Sequence, residues 1–297
     1  MLSNEITIGD KELFQQYITS FPYQVSDINF ASIFIWKDLY ELRYDVIHGL
    51  LCISGKYYDE PFIFPPLTKE VYSIDQLAKT LNALKALSNH PLKIKFAPAH
   101  VVDILKASDQ FVFDIKEDRN NFDYIYAVKD LSELKGRKLH SKKNHLNYFK
   151  KNIPHLYTPL EDTHIEGCLA LTRSLKEGDY SDFEKLLLCN EEKAIARAFE
   201  YWHELNLFGA VILIEDKIEA FTIGEALSHD TVVVHIEKAN PDIKGLYQAI
   251  NQMFCSDACI NFPFVNREED MGFPNLRKTK ESYQPVKLLD KYDVIVK

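Results

Sequence analysis

Four polar residues in the last quarter of the chain have types suited to proton transfer and to holding a charged ligand. Glu237 follows the β-branched run Thr231–Ile236, where a carboxylate could take a proton from an amine or anchor its cation. Asp270 closes the run Asn266-Arg267-Glu268-Glu269-Asp270, directly after the apolar segment Ile260–Phe264. Charged side chains past the C-terminal end of a strand often carry function in open sheets. Arg267 presents a planar fork that matches a carboxylate or phosphate. Tyr283 has an unperturbed pKa near 10, so it holds its proton at neutral pH. Together these side chains offer carboxylates, Glu237 and Asp270, that could take a proton from an amine or anchor its cation, beside an anion-binding fork and a protonated hydroxyl.

Structural roles compete with each of these. Glu237 could form a cross-strand ion pair with Lys238 or Lys217. The acids after Arg267 could fill the first turn of a helix, worth about 0.3–1 kcal/mol each against its dipole. Tyr283 could pack its ring and leave its tip wet. In a regular strand His235 and Glu237 share a face, but zinc needs further ligands that the spacing does not provide. Cys255-x-x-x-Cys259 reads as buried thiols. No metal site is expected.

The elements that must position these groups begin upstream. Val211–Ile214 and Ala220–Ile223 flank the tight turn Glu215-Asp216-Lys217, and Thr231–Ile236 makes a third strand. A polar segment containing Asn240 and Lys244 leads into a helix that starts at Gly245, whose free N–H groups could approach a ligand. With Tyr247, Arg267, Arg277 and Lys280, these residues form a candidate donor- and phosphate-binding set. The order of meander, charged strand end, glycine and helix resembles the GNAT acyltransferase fold, in which donor phosphates sit on the helix start. Tyr247 stands where GNAT enzymes usually carry a second small residue.

Charge is unevenly spread. The chain carries a net charge of −9, yet Lys135–Lys151 holds seven basic residues and no acid. On a helix Leu139, Leu146, Tyr148 and Phe149 would face a core. Lys138, Lys142, Lys143, Lys150 and Lys151 would then form a polyanion-binding strip for a nucleotide, a tRNA or an anionic headgroup. The alternative is a solvated helix between two acidic domains.

At 297 residues two domains are the default. Both sides of the basic strip follow one order: helices, meander, helix, strand, helix, two strands. In the first half the meander is Leu39–Tyr44, Val46–Ser54 and Pro61–Phe64, and the closing pair is Phe111–Ile115 with Tyr124–Val128. In the second half Thr163–Lys176 and Glu191–Asn206 read as helices. Ile260–Phe264 reads as a strand, Glu268–Lys280 as a helical region, and Val286–Leu289 with Tyr292–Val296 as the closing pair. The expected domains are therefore 1–134, a basic connecting helix 135–154, and 155–297, which carries the site. Pro65-Pro66 removes backbone donors from the first-half turn, so a phosphate cradle is not expected there. Five scattered cysteines imply a reducing compartment, and no apolar run approaches the roughly 18–20 residues of a membrane span. The opening residues carry no basic apolar leader, and a cytoplasmic location is expected.

The tandem halves carry a family resemblance, together with the segments LHSKKNHLNYFKK, HIEKANPDIKGLYQAINQMF and FVNREEDMGFPNLRKTKESYQPVKL. The chain resembles bacterial proteins related to the C-terminal catalytic domain of phosphatidylglycerol lysyltransferase. The resemblance spans nearly the whole chain and is most specific from Val234 to Val286. It implies a layered α/β chain of two GNAT-like domains with mixed, largely antiparallel sheets. It also implies acyl or aminoacyl transfer, with aminoacyl-tRNA or an acyl-CoA as donor and a small molecule or lipid headgroup as acceptor. On that resemblance an amine or hydroxyl would attack the donor's activated carbonyl, with Glu237 or Asp270 as base or amine anchor and Tyr283, near the last helix, as general acid for the leaving group. The membrane-spanning portion of the lysyltransferases is missing from this sequence. Acyl-CoA-dependent N-acetyl transfer and non-catalytic binding of an anionic metabolite are the two alternatives.

Overall fold

The computed structural model describes residues 2–20, 23–57, 60–108, 110–175 and 182–297; the end of the expected helix Thr163–Lys176 lies outside them. The chain forms two compact units, one of residues 1–122 with 289–297 and one of residues 123–288. The basic segment 135–154 falls within the second unit.

The strands of the first half are β1 (Asn4–Glu5), β2 (Arg43–Ile47), β3 (Leu50–Tyr57), β4 (Glu60–Ile63), β5 (Leu92–Pro98), β6 (Phe113–Glu117) and β7 (Asp123–Ala127). Those of the second half are β8 (Leu156–Pro159), β9 (Phe208–Ile214), β10 (Lys217–Ala226), β11 (Thr231–Ala239), β12 (Phe264–Asn266), β13 (Lys287–Leu289) and β14 (Lys291–Val296). The first unit adds helices α1 (Lys11–Ile18), α2 (Phe30–Ile35), α3 (Ile74–Ala86) and α4 (Ala99–Lys106). The second adds α5 (Val128–Glu133), α6 (His140–Asn152), α7 (Ile165–Ser174), α8 (Asp182–Glu200), α9 (Leu246–Ser256) and α10 (Pro274–Ser282).

Each unit holds a seven-stranded sheet, ordered β1-β2-β3-β4-β5-β14-β6 in one and β8-β9-β10-β11-β12-β7-β13 in the other. In both, an antiparallel meander leads through a helix to a strand that returns parallel: β5 beside β4, and β12 beside β11. This is the mixed, largely antiparallel GNAT-like α/β architecture, present twice. The β9–β10 turn is the expected tight one. Glu215 and Asp216 both take positive φ, at 49° and 60°, the twist that a two-residue hairpin loop favours.

The closing strand pairs differ from expectation. β6 pairs with β14, and β7 pairs with β12, so the last strand of each half completes the sheet formed by the other. The burial of the strands explains the choice. Asp123, Tyr124, Ile125 and Tyr126 of β7 are all buried and need a neighbour on either side, whereas the largely exposed β6 suits a sheet edge. Among the described residues no helix is long and apolar enough to cross a membrane.

Candidate active site at the end of β11

β11 keeps its parallel neighbour for only three residues. Thr231, Val232 and Val233 pair with Phe264, Val265 and Asn266, and β11 then runs on alone to Ala239 on that side. On the other side the β10 register jumps from Ile223–Ile236 to Gly224–Val234, leaving His235 as an extra residue. This bulge breaks the two-residue alternation, so the shared face expected for His235 and Glu237 does not follow. Gly224 permits the close approach, since a Cβ there would come 2.3 Å from the Val233 carbonyl oxygen.

The His235 ring is fully buried between two carboxylates. Nε2 lies 3.0 Å from Glu225 and Nδ1 2.9 Å from Glu268. Burial works against a charged ring, but the hydrogen bonds to Glu225 and Glu268 outweigh it and push the pKa up to about 10. Glu268 sits in the left-handed region at φ 54°, where the chain turns out of β12.

Arg267, one residue earlier, turns toward Glu237. Nη2 donates to Glu237 Oε1 at 2.8 Å, and Asn251 Nδ2 of α9 donates to Oε2 at 3.1 Å. The guanidinium lies 5.1 Å from the Tyr283 ring centre and 5.7 Å from that of Tyr126. Burial opposes its charge, yet Glu237 holds the Arg267 pKa above its ordinary value. Arg267 Nη1 and Asn251 Oδ1 are buried with no hydrogen-bond partner among the described residues. A carboxylate only accepts, so the Asn251 amide must turn its NH2 to Glu237 and its oxygen away. The cross-strand ion pair considered for Glu237 does not form, because Lys238 pairs with Glu191 and Lys217 with Glu219.

Tyr283 is 3% exposed, so the wet tip considered for it is not found. Burial pushes its pKa up to about 12, which keeps it protonated. Lys142 of α6 stands 4.3 Å from the same ring, and burial, then Arg267, lowers its pKa. Lys280 donates to the Arg267 carbonyl, and burial, only partly offset by Glu269, brings its pKa down to about 8. The Tyr126 hydroxyl donates to the Lys280 carbonyl at 2.8 Å.

Asp270 is fully buried and enclosed. It accepts from Arg277 Nε at 2.9 Å and Nη2 at 2.7 Å, from the Tyr124 hydroxyl at 2.7 Å and from Gly272 N at 2.9 Å. Burial would raise its pKa, but these bonds hold it below the usual value. Its oxygens are engaged by Arg277, Tyr124 and the loop backbone. The acids after Arg267 do not open a helix. Residues 268–273 form a loop, with φ 52° at Met271 and 78° at Gly272, and α10 begins only at Pro274. The preceding strand also starts late, at Phe264, because Ile260 lies in a turn and is 56% exposed.

The expected donor residues divide. Arg267, Arg277 and Lys280 join the cluster. Asn240 Nδ2 instead donates to Glu219, its Oδ1 accepts from Asp242 N, and Lys244 stands 4.5 Å from the Tyr148 ring. Tyr247 is exposed. Gly245 caps α9 at φ 89°, but a Cβ there would lie 2.3 Å from the His145 carbonyl oxygen of α6. Its glycine therefore answers to close helix packing. In the basic strip, Lys142 turns into the cluster, and Lys150 donates to Gln252 at 2.9 Å with its pKa lowered by burial. Lys143 reaches the Glu133 carbonyl at 3.5 Å, while Lys138 and Lys151 are exposed. Leu139, Leu146 and Phe149 are buried as expected, and Tyr148 is exposed.

Asn251, Tyr124 and Tyr126 are members of the cluster that were not singled out from the sequence. A polar side chain at helical spacing from the apolar Phe254 and Cys255 of α9 was the available signal for Asn251.

The family model described as phosphatidylglycerol lysyltransferase, C-terminal, matches residues 19–295. A protein of Mycoplasmoides gallisepticum is 24% identical over 279 residues, covering 86% of this chain and 80% of that one. The crystal structure of a conserved protein from Bacteroides thetaiotaomicron superposes with a TM-score of 0.87 at 30% identity, over 100% of both chains. The structure of L-PGS from Bacillus licheniformis shares the fold with a TM-score of 0.70 at 13% identity, over 99% of this chain and 93% of that one. On the match across nearly its whole length, the chain belongs to the phosphatidylglycerol lysyltransferase C-terminal family.

Proposed function

We propose that the unit of residues 123–288 transfers an aminoacyl group from aminoacyl-tRNA to an amine or hydroxyl acceptor. Family membership supports transferase chemistry, and the clamp on Glu237 carries the reading. Among the described residues Arg267 Nη1 is a buried donor without a partner and Asn251 Oδ1 a buried acceptor without one, and both belong to the side chains that hold that carboxylate. Unpaired buried polar groups are costly, so both favour a ligand that satisfies them. An aminoacyl ester offers the complement: a carbonyl oxygen that accepts and an α-amino group that donates.

In the reaction the acceptor's nitrogen or oxygen bonds to the ester carbonyl carbon and Glu237 takes its proton. Arg267 Nη1 donates to the oxygen on which charge develops. The carbon–oxygen ester bond then breaks, and the departing tRNA hydroxyl takes a proton from Tyr283. After product leaves, Glu237 loses its proton to solvent and Tyr283 regains one from it. Asp270 holds the loop that presents Arg267. The exposed Lys138 and Lys151, with Lys143, are available to tRNA phosphates. The name of the family makes a phosphatidylglycerol headgroup one candidate acceptor, beside small molecules.

An acyl-CoA donor has less support, because α6 packs where the Gly245 helix start would meet phosphates. The alternative is a non-catalytic role in binding an anionic metabolite, for which Arg267 Nη1, a buried donor with no partner among the described residues, would be the available contact. Incubation with a pool of charged tRNAs separates these readings. Protein-dependent loss of the ester-linked amino acid, abolished by Arg267→Met, supports transfer; binding without turnover supports the second role.

A further inference from the structure

The first unit contains a cavity of about 310 Å³ between β3, β4, the start of β5 and the end of α3. That volume lies at the low end of the about 300–1,000 Å³ typical of ligand pockets. Phe62, Ile63, Leu84 and Leu92 give it an apolar floor and are nearly inaccessible to bulk water. The polar part of the wall includes Lys56, Lys93 and His90, and no carboxylate among the described residues lines it. Glu41 pairs with Lys56, and Glu60 and Asp293 with Lys93, but none of the three belongs to the wall. Burial works against the charge of Lys93, and Asp293 and Glu60 outweigh it, so the ammonium is retained.

We propose that this cavity binds a small amphipathic anion, with an apolar body on the floor and one carboxylate or phosphate toward Lys56, Lys93 and His90. The volume suits a ligand with one short chain and one head group. A two-chain lipid is too large for it. The site lies wholly within residues 1–122 and is independent of the Glu237 cluster.

Octanoate, octyl phosphate, octanol and octylamine, added to the full chain, test the proposal by thermal shift and calorimetry. Octanoate or octyl phosphate raises the melting temperature with dose, by mass action on the native state, and octylamine does not. Whichever head binds more tightly distinguishes a free acid from a phosphate monoester. Leu87 lines the cavity and is 56% exposed, so it tolerates charge without loss of the fold. Leu87→Glu weakens octanoate about tenfold and Leu87→Lys does not weaken it. Equal shifts from octanol or octylamine, no shift from either anion, or parental affinity in Leu87→Glu would overturn the proposal.

Discussion

The guanidinium of Arg267 and the carboxylate of Glu237 meet at 2.8 Å, where β11 has run past its last pairing with β12. Each side chain is only 13% exposed, so the pair is a charge contact largely removed from water. Breaking it from one side strands a buried charge. Glu237→Leu is expected to lose about 3–5 kcal/mol of stability, and Glu237→Leu with Arg267→Leu to recover most of that loss. Urea unfolding of both variants checks this; a double variant as unstable as the single one would show that the pair is not coupled.

His235 gives stability a pH dependence of defined sign. Its pKa rises from an ordinary 6.5 to about 10 in the fold. The stabilisation is fully present below about pH 6.5 and is lost as pH rises through about 10, because the native state binds the extra proton in that window. The difference in unfolding free energy between parent and His235→Asn is expected to shrink steadily from pH 7 to pH 10. A difference independent of pH would mean that the ring is neutral.

Lys280 is expected to titrate near pH 8, whereas an exposed lysine titrates near 10.4, because burial disfavours its ammonium. NMR of isotopically labelled lysine side chains, compared with Lys280→Met to assign the signal, reads this directly. A single group of lysine transitions above pH 10 would contradict it.

Gly245→Ala places a Cβ 2.3 Å from the His145 carbonyl oxygen and requires alanine to adopt φ 89°. Strain of this kind costs about 1–3 kcal/mol before any steric shift, so the melting temperature falls by several degrees in calorimetry. A neutral substitution would mean that α6 and α9 do not pack as closely as described.

Much of the second unit was legible because local signals carry it. The Glu215-Asp216 turn, the three strands around it and the glycine before α9 follow from short-range pattern. What the sequence hid was non-local. Whether β7 pairs with β6 or with β12 depends on which sheet can cover both faces of Tyr124 and Tyr126, and no spacing records that. The bulge at His235 depends on Gly224 of another strand, so the even alternation read along β11 misplaced the ring. Gly245 was visible as a glycine, yet its cause, the His145 carbonyl a hundred positions upstream, was not. Glu237, Arg267, Asp270 and Tyr283 were recognised as polar groups at strand and helix ends. Their grouping around Asn251 and Tyr126 required the fold.

The most direct test of the transfer reading follows ester-linked amino acid on tRNA with purified parent, Arg267→Met and Glu237→Gln, across a full set of charged tRNAs and with amine, hydroxyl and phosphatidylglycerol acceptors. The expected result is protein-dependent movement of label from one or a few tRNAs to an acceptor. Arg267→Met should lower the rate by at least about a hundredfold, the scale of losing one donor to a developing oxyanion, with tRNA binding retained. Label that leaves every tRNA at the protein-free rate, or moves as fast with Arg267→Met as with the parent, would contradict the account.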